Sequence, residues 1–192
     1  MIIRNYTDKD EQGWLRCRVL SFLNTAYFDN VLNKKEIYEN PSIELVAEKD
    51  NQIVGLLDIE YEQEPKEVCT AKEKNGGMIW HIAVHPDFQR QGIGERLLET
   101  AIQEAKKFNL QYLEAWTRDD IWVQQWYEKM EFELSSSYYH LYMEGNELNG
   151  TVNTEVNNLY PVTLFAHYTG EDVAAFRNIK RKHECVCYVK EI

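Results

Sequence analysis

His81-Ile-Ala-Val-His-Pro-Asp-Phe-Gln-Arg-Gln-Gly-Ile-Gly-Glu-Arg-Leu-Leu98 is the most informative segment of this chain of 192 residues. It begins inside an apolar run, residues 79–84, which predicts a buried strand that Pro86 ends because proline cannot donate a ladder hydrogen bond. A loop with Gly92 and Gly94 follows. Apolar residues then recur at the spacing of one helical face: Ile93, Leu97, Leu98, Ala101, Ile102, Ala105 and Phe108. The segment therefore predicts a strand, a glycine loop and an amphipathic helix.

This order of elements is typical of an anion-binding site. The first backbone amides of a helix have no intrahelical partner, and the helix dipole favours negative charge there. Glycines allow a close approach of the backbone, so that successive N–H groups can point at phosphate oxygens. We therefore expect a ligand that carries a pyrophosphate.

Three phosphate-binding motifs compete for this loop. A nucleotide P-loop requires Lys-Ser/Thr after its last glycine, and neither follows Gly94. A dinucleotide site for NAD requires a third glycine, where Leu97 stands. The pattern Gln89-x-x-Gly92-x-Gly94, after a strand that ends Val-His-Pro, resembles the acyl-CoA loop of the GNAT superfamily of N-acyltransferases. Two glycines alone also fit an ordinary strand-to-helix turn, but the whole segment favours the acyl-CoA loop.

The resemblance implies that acetyl-CoA, the family's commonest donor, is the cosubstrate. The loop residues expected to hold its pyrophosphate are Gln89, Arg90, Gln91, Gly92, Ile93, Gly94 and Glu95, with Arg90 as a charged contact. The backbone of Ile82, Ala83 and Val84 is expected to pair with the pantetheine arm like an added strand. A backbone N–H in that strand would also stabilise the oxygen of the thioester carbonyl.

A second resemblance concerns the acid of the reaction. The string Trp126-Tyr-Glu-Lys-Met-Glu-Phe132 is similar to the family's Phe-Tyr-Glu-Lys-x-Gly-Phe, in which the tyrosine lies near the CoA sulfur. This implies that Tyr127 is the general acid, although a helix residue that packs through its ring would look the same. Seven residues earlier the family commonly has a cofactor-binding Asn, and Asp120 occupies that position here. Glu131 replaces the usual glycine.

The general base is less well defined. His81 lies three residues before Val84, near the place where family members have a base or a water-relay residue. Its unperturbed pKa of about 6.5 suits proton abstraction near neutral pH. A core histidine with a satisfied hydrogen bond explains the position equally well, and Glu60 and Glu114 are alternative bases. No cysteine falls in the motifs, so we expect direct transfer to the amine.

Composition limits the class of protein. The net charge of −11 argues against a broad surface for nucleic acid. It is compatible with a cationic amine as partner, although an acidic balance also simply keeps a protein soluble. No apolar run approaches the roughly 20 residues that cross a bilayer, and no signal peptide is seen, so we expect no membrane association and a cytoplasmic location. Family habit suggests a homodimer.

The rest of the chain predicts an α/β fold. We expect a strand over 2–5, a helix from Asp8 to about Leu23, a helix over 27–38, strands over 43–48 and 52–60, an exposed loop over 63–77, a strand over 111–117, a helix over 121–130 and a strand over 132–142. This order resembles the GNAT fold, a mixed and mostly antiparallel twisted sheet flanked by helices, over residues 1–142.

Residues 143–192 form a C-terminal extension. Residues 145–158 predict a loop, 160–168 a strand, 171–180 a helix and 183–190 a strand. Either the last strand completes the sheet of the first domain, or the whole extension is a separate appended unit. His183, Cys185 and Cys187 would project from one face of that strand, but zinc would need a fourth ligand, so we expect no metal.

The sequence therefore predicts an N-acetyltransferase that moves an acetyl group from acetyl-CoA directly to a primary amine, either a small molecule or a peptide. A non-catalytic acyl-CoA-binding module is the alternative from another class. The identity of the amine is left open, because the acceptor pocket is built from variable segments.

Overall fold

The computed structural model describes all residues, 1–192, and arranges eight strands in one sheet flanked by helices. The strands are β1 (Ile2–Asn5), β2 (Ser42–Lys49), β3 (Gln52–Tyr61), β4 (Gly76–Val84), β5 (Tyr112–Thr117), β6 (Glu133–Glu144), β7 (Thr163–Tyr168) and β8 (Arg181–Glu191). Their order in the sheet is β1-β2-β3-β4-β5-β8-β6-β7. Of the seven pairings, only β4 with β5 is parallel. The predicted α/β class with a mixed, mostly antiparallel sheet is confirmed.

Helices cover both faces of the sheet. They are α1 (Glu11–Phe22), α2 (Ile93–Lys107) and α3 (Ile121–Lys129). Trp14 of α1 belongs to a buried cluster with Leu56 and Ala83, and we call this side of the sheet the α1 face. Leu97 of α2 and Tyr127 of α3 belong to the main core on the opposite side, the α2 face. Successive side chains of a strand point to opposite faces, which is how β3 and β4 contribute to both clusters.

The two parallel strands separate after four residue pairs. The register runs from Gly76 opposite Tyr112 to Ile79 opposite Ala115, and β4 then continues to Val84 with no strand on that edge. The register with β3 shifts at the same point, so that Trp80 forms a bulge in β4. The result is a V-shaped gap that begins at the bulge and opens toward the glycine loop.

The last strand completes the sheet. β8 lies between β5 and β6 and is antiparallel to both, while residues 145–180 form the connection that contains the edge strand β7. Of the two interpretations of residues 143–192, the pairing agrees with the one in which the final strand joins the sheet.

Two predicted helices are wrong. Residues 27–38 form turns and irregular backbone, because their polar groups bind elsewhere: Asn30 O accepts from Arg18 and Lys35 N donates to Glu11. Residues 171–180 contain only a 3-10 turn over Val173–Phe176, where the Asp172 carboxylate accepts from the Ala174 amide. In both segments, hydrogen bonds to side chains replace the helical ladder.

The predicted loop over 63–77 is shorter than expected, because β4 begins at Gly76. A Cβ on Gly76 would lie 2.5 Å from the ring of Tyr112, so only glycine allows the two parallel strands to approach there. None of the helices is both long enough and apolar enough to span a bilayer.

Candidate functional site

The glycine loop presents a row of free amides at the start of α2. The backbone N–H groups of residues 90–95 donate to no protein acceptor, and the first amide used by the helix is that of Arg96, which donates to Gly92 O at 3.1 Å. Arg90 and Gly92 adopt left-handed backbone conformations, with φ of 61° and 76°. When left-handed residues alternate with others along a loop, its successive amides turn toward one concave side, which suits an anion. The structure thus brings together the predicted loop residues.

The side chains of the loop have separate roles. Gln89 Nε2 donates to Val84 O at 3.1 Å and so ties the loop to the end of β4. Glu95 Oε2 lies 3.5 Å from Lys129 Nζ, which links the start of α2 to the end of α3. The side chains of Arg90 and Gln91 are exposed, while Ile93 is buried in the core. The charged contact expected from Arg90 stays a prediction.

The end of β4 is unpaired on the side of the gap. Val84 O points away from β3, since it accepts from Ser21 Oγ at 2.9 Å as well as from Gln89. By the alternation of a strand, Ile82 presents its backbone groups to the same edge, while Ala83 faces β3, where it is paired with Leu56. On this edge the backbone groups of Ile82 and the N–H of Val84 are therefore open to an added strand, whereas Val84 O is occupied.

Tyr127 lies on α3, in the core of the α2 face. Its ring is 4% exposed and stacks on Tyr188, with centroids 5.4 Å apart, and Phe132 and Trp126 pack against its other sides. The hydroxyl makes no hydrogen bond to the protein. Burial raises the pKa of Tyr127 well above its usual value, so the phenol is protonated at neutral pH.

His81 is buried on the α1 face and has partners at both ring nitrogens. Nε2 contacts Oε2 of Glu36, and Nδ1 accepts from Arg18 Nε at 3.4 Å. The hydrogen bond from His81 lowers the pKa of Glu36. A neutral imidazole has one donor and one acceptor, and both are used here. His81 therefore has no free lone pair for an amine proton unless one of these contacts opens.

Asp120 occupies the N-cap position of α3, and its side chain binds a distant segment. Its carboxylate accepts from the Ala26 amide at 2.9 and 3.1 Å, which anchors the turns after α1 beside the end of β5. Burial raises the pKa of Asp120. In this arrangement the carboxylate binds the chain's own backbone. A contact of Asp120 with the cofactor remains a prediction.

Buried carboxylates hold the loop between β3 and β4 in place. Glu62 accepts from the amides of Lys66, Cys69 and Gly76 at 2.8–2.9 Å. Glu114 accepts from the Thr70 and Ala71 amides at 2.9 and 2.8 Å. Sequence reasoning missed this role, because acceptor and donor are up to 44 residues apart.

Glu62→Ala is expected to raise the hydrogen-exchange rates of the Lys66 and Cys69 amides by about ten-fold or more, since each lost acceptor leaves an amide that opens more readily. Glu62→Gln keeps one carbonyl oxygen and is the matched control, with a smaller increase. Equal exchange in the wild type and Glu62→Ala would show that the carboxylate does not anchor the loop.

A basic cluster lies beyond β5 on the α1 face. Arg118 is 4% exposed and donates from Nε to His140 Nδ1 at 3.0 Å, and its guanidinium lies 4.1 Å from the centroid of the Tyr27 ring. Burial and the adjacent Arg118 lower the pKa of His140 to about 4. His140 is therefore neutral at physiological pH and serves as the acceptor for Arg118.

The shifted pKa of His140 predicts an acid-sensitive fold. The unfolded histidine titrates near pH 6.5 and the folded one near pH 4, so the unfolded state binds more protons between these values. Stability is then complete above about pH 6.5, falls as the pH decreases toward 4, and levels off below. His140→Gln keeps an acceptor for Arg118 but does not titrate.

Lowering the pH from 7 to 5 should lower the free energy of unfolding of the wild type. After allowance for solvent screening, we expect this decrease to be about 1 kcal/mol smaller in His140→Gln. Urea denaturation at the two pH values measures this difference. An identical pH dependence in the two proteins would contradict the assigned role of His140.

The alternating residues His183, Cys185 and Cys187 of β8 are buried or make contacts within the protein. Cys185 and Cys187 are buried, and His183 Nδ1 lies 2.7 Å from Asp119 Oδ1. The structure contains no group of three or more His, Cys, Asp or Glu side chains that could hold a metal ion.

Comparisons with known proteins agree with this geometry. The model of the family described as acetyltransferase (GNAT) matches residues 10–132. A search of curated protein sequences finds no significant match. Among solved structures, a ribosomal-protein-alanine N-acetyltransferase from Brucella melitensis is similar, with a TM-score of 0.61, 16% identity and coverage of 100% of both chains.

Two further structures share the fold. A GNAT family acetyltransferase from Elizabethkingia anophelis with acetyl-CoA bound has a TM-score of 0.54 and 18% identity, over 100% of this chain and 97% of that one. NAA60 from Arabidopsis thaliana in complex with a bisubstrate analogue has a TM-score of 0.59 and 12% identity, over 100% and 97%. At these identities the likeness establishes the fold.

Proposed function

Since the chain belongs to the acetyltransferase (GNAT) family, we propose that it transfers an acetyl group from acetyl-CoA directly to a primary amine. The observation that carries the proposal is the row of unpartnered amides over residues 90–95, at the wide end of the gap between β4 and β5. These amides fit a pyrophosphate, and the gap continues from them to the free edge of β4. The cytoplasm, which supplies acetyl-CoA, is the compartment we propose.

The residues around the gap supply the chemistry that the reaction needs. The amine nitrogen bonds to the thioester carbonyl carbon, the carbon–sulfur bond breaks, and the thiolate takes a proton. We assign the donation of that proton to Tyr127, whose hydroxyl makes no hydrogen bond within the protein and whose phenol is protonated at neutral pH. A backbone N–H on the free edge at Ile82 would stabilise negative charge on the carbonyl oxygen.

The amine must lose a proton before or during the attack. His81 is linked to Glu36, whose side chain is 44% exposed, so the pair connects the buried α1 face with solvent. We propose that the pair passes the amine proton outward through water. His81 is then a relay rather than an isolated base: its contact with Arg18 opens so that Nδ1 takes a proton, while Nε2 passes one to Glu36.

Direct transfer is supported by the state of the cysteines. All four are reduced and buried, at 0–1% exposure, so none can take the acetyl group from a bound thioester. Burial raises the pKa of Cys185 to about 11 and that of Cys17 to about 12, which keeps these thiols protonated and unreactive at neutral pH.

Release of free CoA tests the proposal. The full chain is incubated with acetyl-CoA and a panel of alkylamines, diamines, amino acids and peptides with free N-termini, and the thiol product is measured together with the mass of the acetylated amine. Amine-dependent thiol release with a mass gain of one acetyl group supports the proposal. Release without an acetylated amine, or no release with any acceptor, contradicts it.

A further inference from the structure

β7 is an edge strand of the sheet, and its outer side has no partner. The hydrogen bond from Gly145 N to Val162 O, at 3.2 Å, continues the register of β6 with β7 and marks a hydrogen-bonded pair of the ladder. Because such pairs alternate along antiparallel strands, the backbone groups of Thr163, Phe165 and His167 point away from β6. No other part of the protein forms a backbone hydrogen bond with them. β7 therefore presents a row of free donors and acceptors.

This edge and the segment before it are almost without charge. Residues 148–170 contain a single charged residue, Glu155, in a chain in which 28% of the residues are charged. Exposed edges of natural sheets are commonly protected by charged side chains, which oppose pairing with another chain. The opposite edge has this protection, because Arg4 of β1 binds Asp10 and Glu48. β7 is longer, with six residues, and has no such side chain.

Large apolar side chains are exposed beside the edge. They lie close together in the sequence and are 49–79% exposed: Val156, Leu159, Tyr160, Val162 and Phe165. The ring of Phe165 packs on Tyr142 of β6, with centroids 4.8 Å apart, so it is held at the edge. Exposed apolar side chains that are concentrated on one part of a surface mark an interaction site.

The outward groups are complementary to a second copy of the same strand. Thr163 and His167 lie at equal distances in sequence on either side of Phe165. A two-fold axis beside Phe165 therefore places an antiparallel copy of β7 so that each outward residue faces another. Phe165 then faces Phe165 of the partner subunit, and Thr163 faces His167 of the partner subunit. Each pair can exchange two hydrogen bonds, so no outward group stays unpaired.

The side chains and the charge of the chain agree with this pairing. In the same register, Leu164 faces Ala166 of the partner subunit, and Val162 faces Tyr168 of the partner subunit, so that apolar and aromatic side chains meet. Each copy has a net charge of −11, and two copies therefore repel each other over most of their surface. β7 brings no charged side chains together. This edge is thus suited to a second copy of an acidic chain.

We propose that the chain forms a two-fold dimer in which β7 pairs antiparallel with β7 of a second copy, so that the two sheets become one continuous sheet. The contact uses the same strand in both copies, and the assembly therefore closes at two. Pairing also removes an edge that would otherwise accept other extended chains. The proposal does not depend on acetyl transfer, because β8 and β6 separate β7 from the gap between β4 and β5.

The mass of the full chain in solution tests the proposal. Sedimentation velocity at about 100 µM should give twice the mass of the chain, with a Kd for the dimer of about 10 µM or less. Phe165→Lys places two like charges opposite each other at the axis and should raise this Kd about ten-fold or more. Leu134→Lys adds the same charge on β6, at a residue that is 62% exposed, and should stay dimeric. A monomeric wild type, or a Phe165→Lys variant as dimeric as the wild type, would overturn the proposal.

Disulfide cross-linking then tests the position of the axis. Facing residues of a hydrogen-bonded pair have Cα atoms about 5.5 Å apart, within the range of a disulfide. Phe165→Cys should therefore link two chains when oxidised glutathione is added, and the four native cysteines do not compete because they are buried. Thr163→Cys is the matched control, since four residues, or about 13 Å, would separate it from its own copy. Cross-linking through Thr163→Cys, or none through Phe165→Cys, would contradict the proposed pairing.

Discussion

Gly92→Val is expected to raise the Kd for acetyl-CoA by about 100-fold or more, which corresponds to the loss of about two charge-assisted hydrogen bonds to phosphate. Gly92 has φ of 76°, a conformation that a β-branched residue avoids. A valine there would turn the peptide units of the loop, so that the free amides of residues 90–95 would no longer point to one side. Isothermal titration with acetyl-CoA measures the loss.

The matched control lies in the C-terminal part of the chain. Gly150 has φ of 80° and, like Gly92, would meet nothing within 4 Å if it carried a Cβ, so Gly150→Val imposes similar backbone strain. It should keep the wild-type Kd. Gly94 is different, because its Cβ would make only ordinary contact with Trp126 at 3.5 Å. Retained binding by Gly92→Val, with the fold intact, would place the phosphates elsewhere.

Tyr127→Phe is expected to lower kcat by about 100-fold and to leave the Kd for acetyl-CoA nearly unchanged, since general acid catalysis contributes about 10²–10⁴-fold. The substitution removes only the hydroxyl, which makes no hydrogen bond within the protein, and keeps the ring that packs on Tyr188 and Phe132. Stability should therefore change little. Steady-state kinetics with a saturating amine, together with titration of acetyl-CoA, separates the two effects.

Tyr188→Phe provides the comparison. Tyr188 stacks on Tyr127, and its hydroxyl donates to Glu128 Oε1 at 3.1 Å, away from the proposed chemistry. This variant should keep kcat within about three-fold, because its lost hydrogen bond affects mainly stability. Wild-type turnover in Tyr127→Phe, or an equal loss in both variants, would remove the acid role from Tyr127.

The sequence predicted the centre of the fold well and the connections poorly. The apolar run that ends at Pro86, the two glycines and the helical periodicity after them are local signals, and the strand, loop and helix form where predicted. The helix expected over 27–38 has local helical character too, but its backbone groups bind Arg18 and Glu11 instead. A single sequence gives no indication of such distant partners.

The same distinction applies to the site. The positions of Tyr127 and of loop 89–95 follow from motifs; in the structure the loop precedes α2, and Tyr127 lies on α3 in the core of the α2 face. The partner of His81 could not be foreseen, since Glu36 lies 45 residues away in a segment without regular structure. Nor could the hydrogen bond from Trp80 Nε1 to Glu60 be foreseen, because it depends on the pairing of β3 with β4.

Binding of the donor tests the central claim most directly. The melting temperature of the full chain is measured with acetyl-CoA, longer acyl-CoAs, free CoA, NAD and ATP, each at about 100 times the Kd expected for a true ligand, where binding adds about 2.7 kcal/mol to the free energy of unfolding. We predict that the CoA compounds raise the melting temperature and that NAD and ATP do not. Stabilisation by NAD or ATP alone, or by none of the compounds, would contradict an acyl-CoA site at the glycine loop.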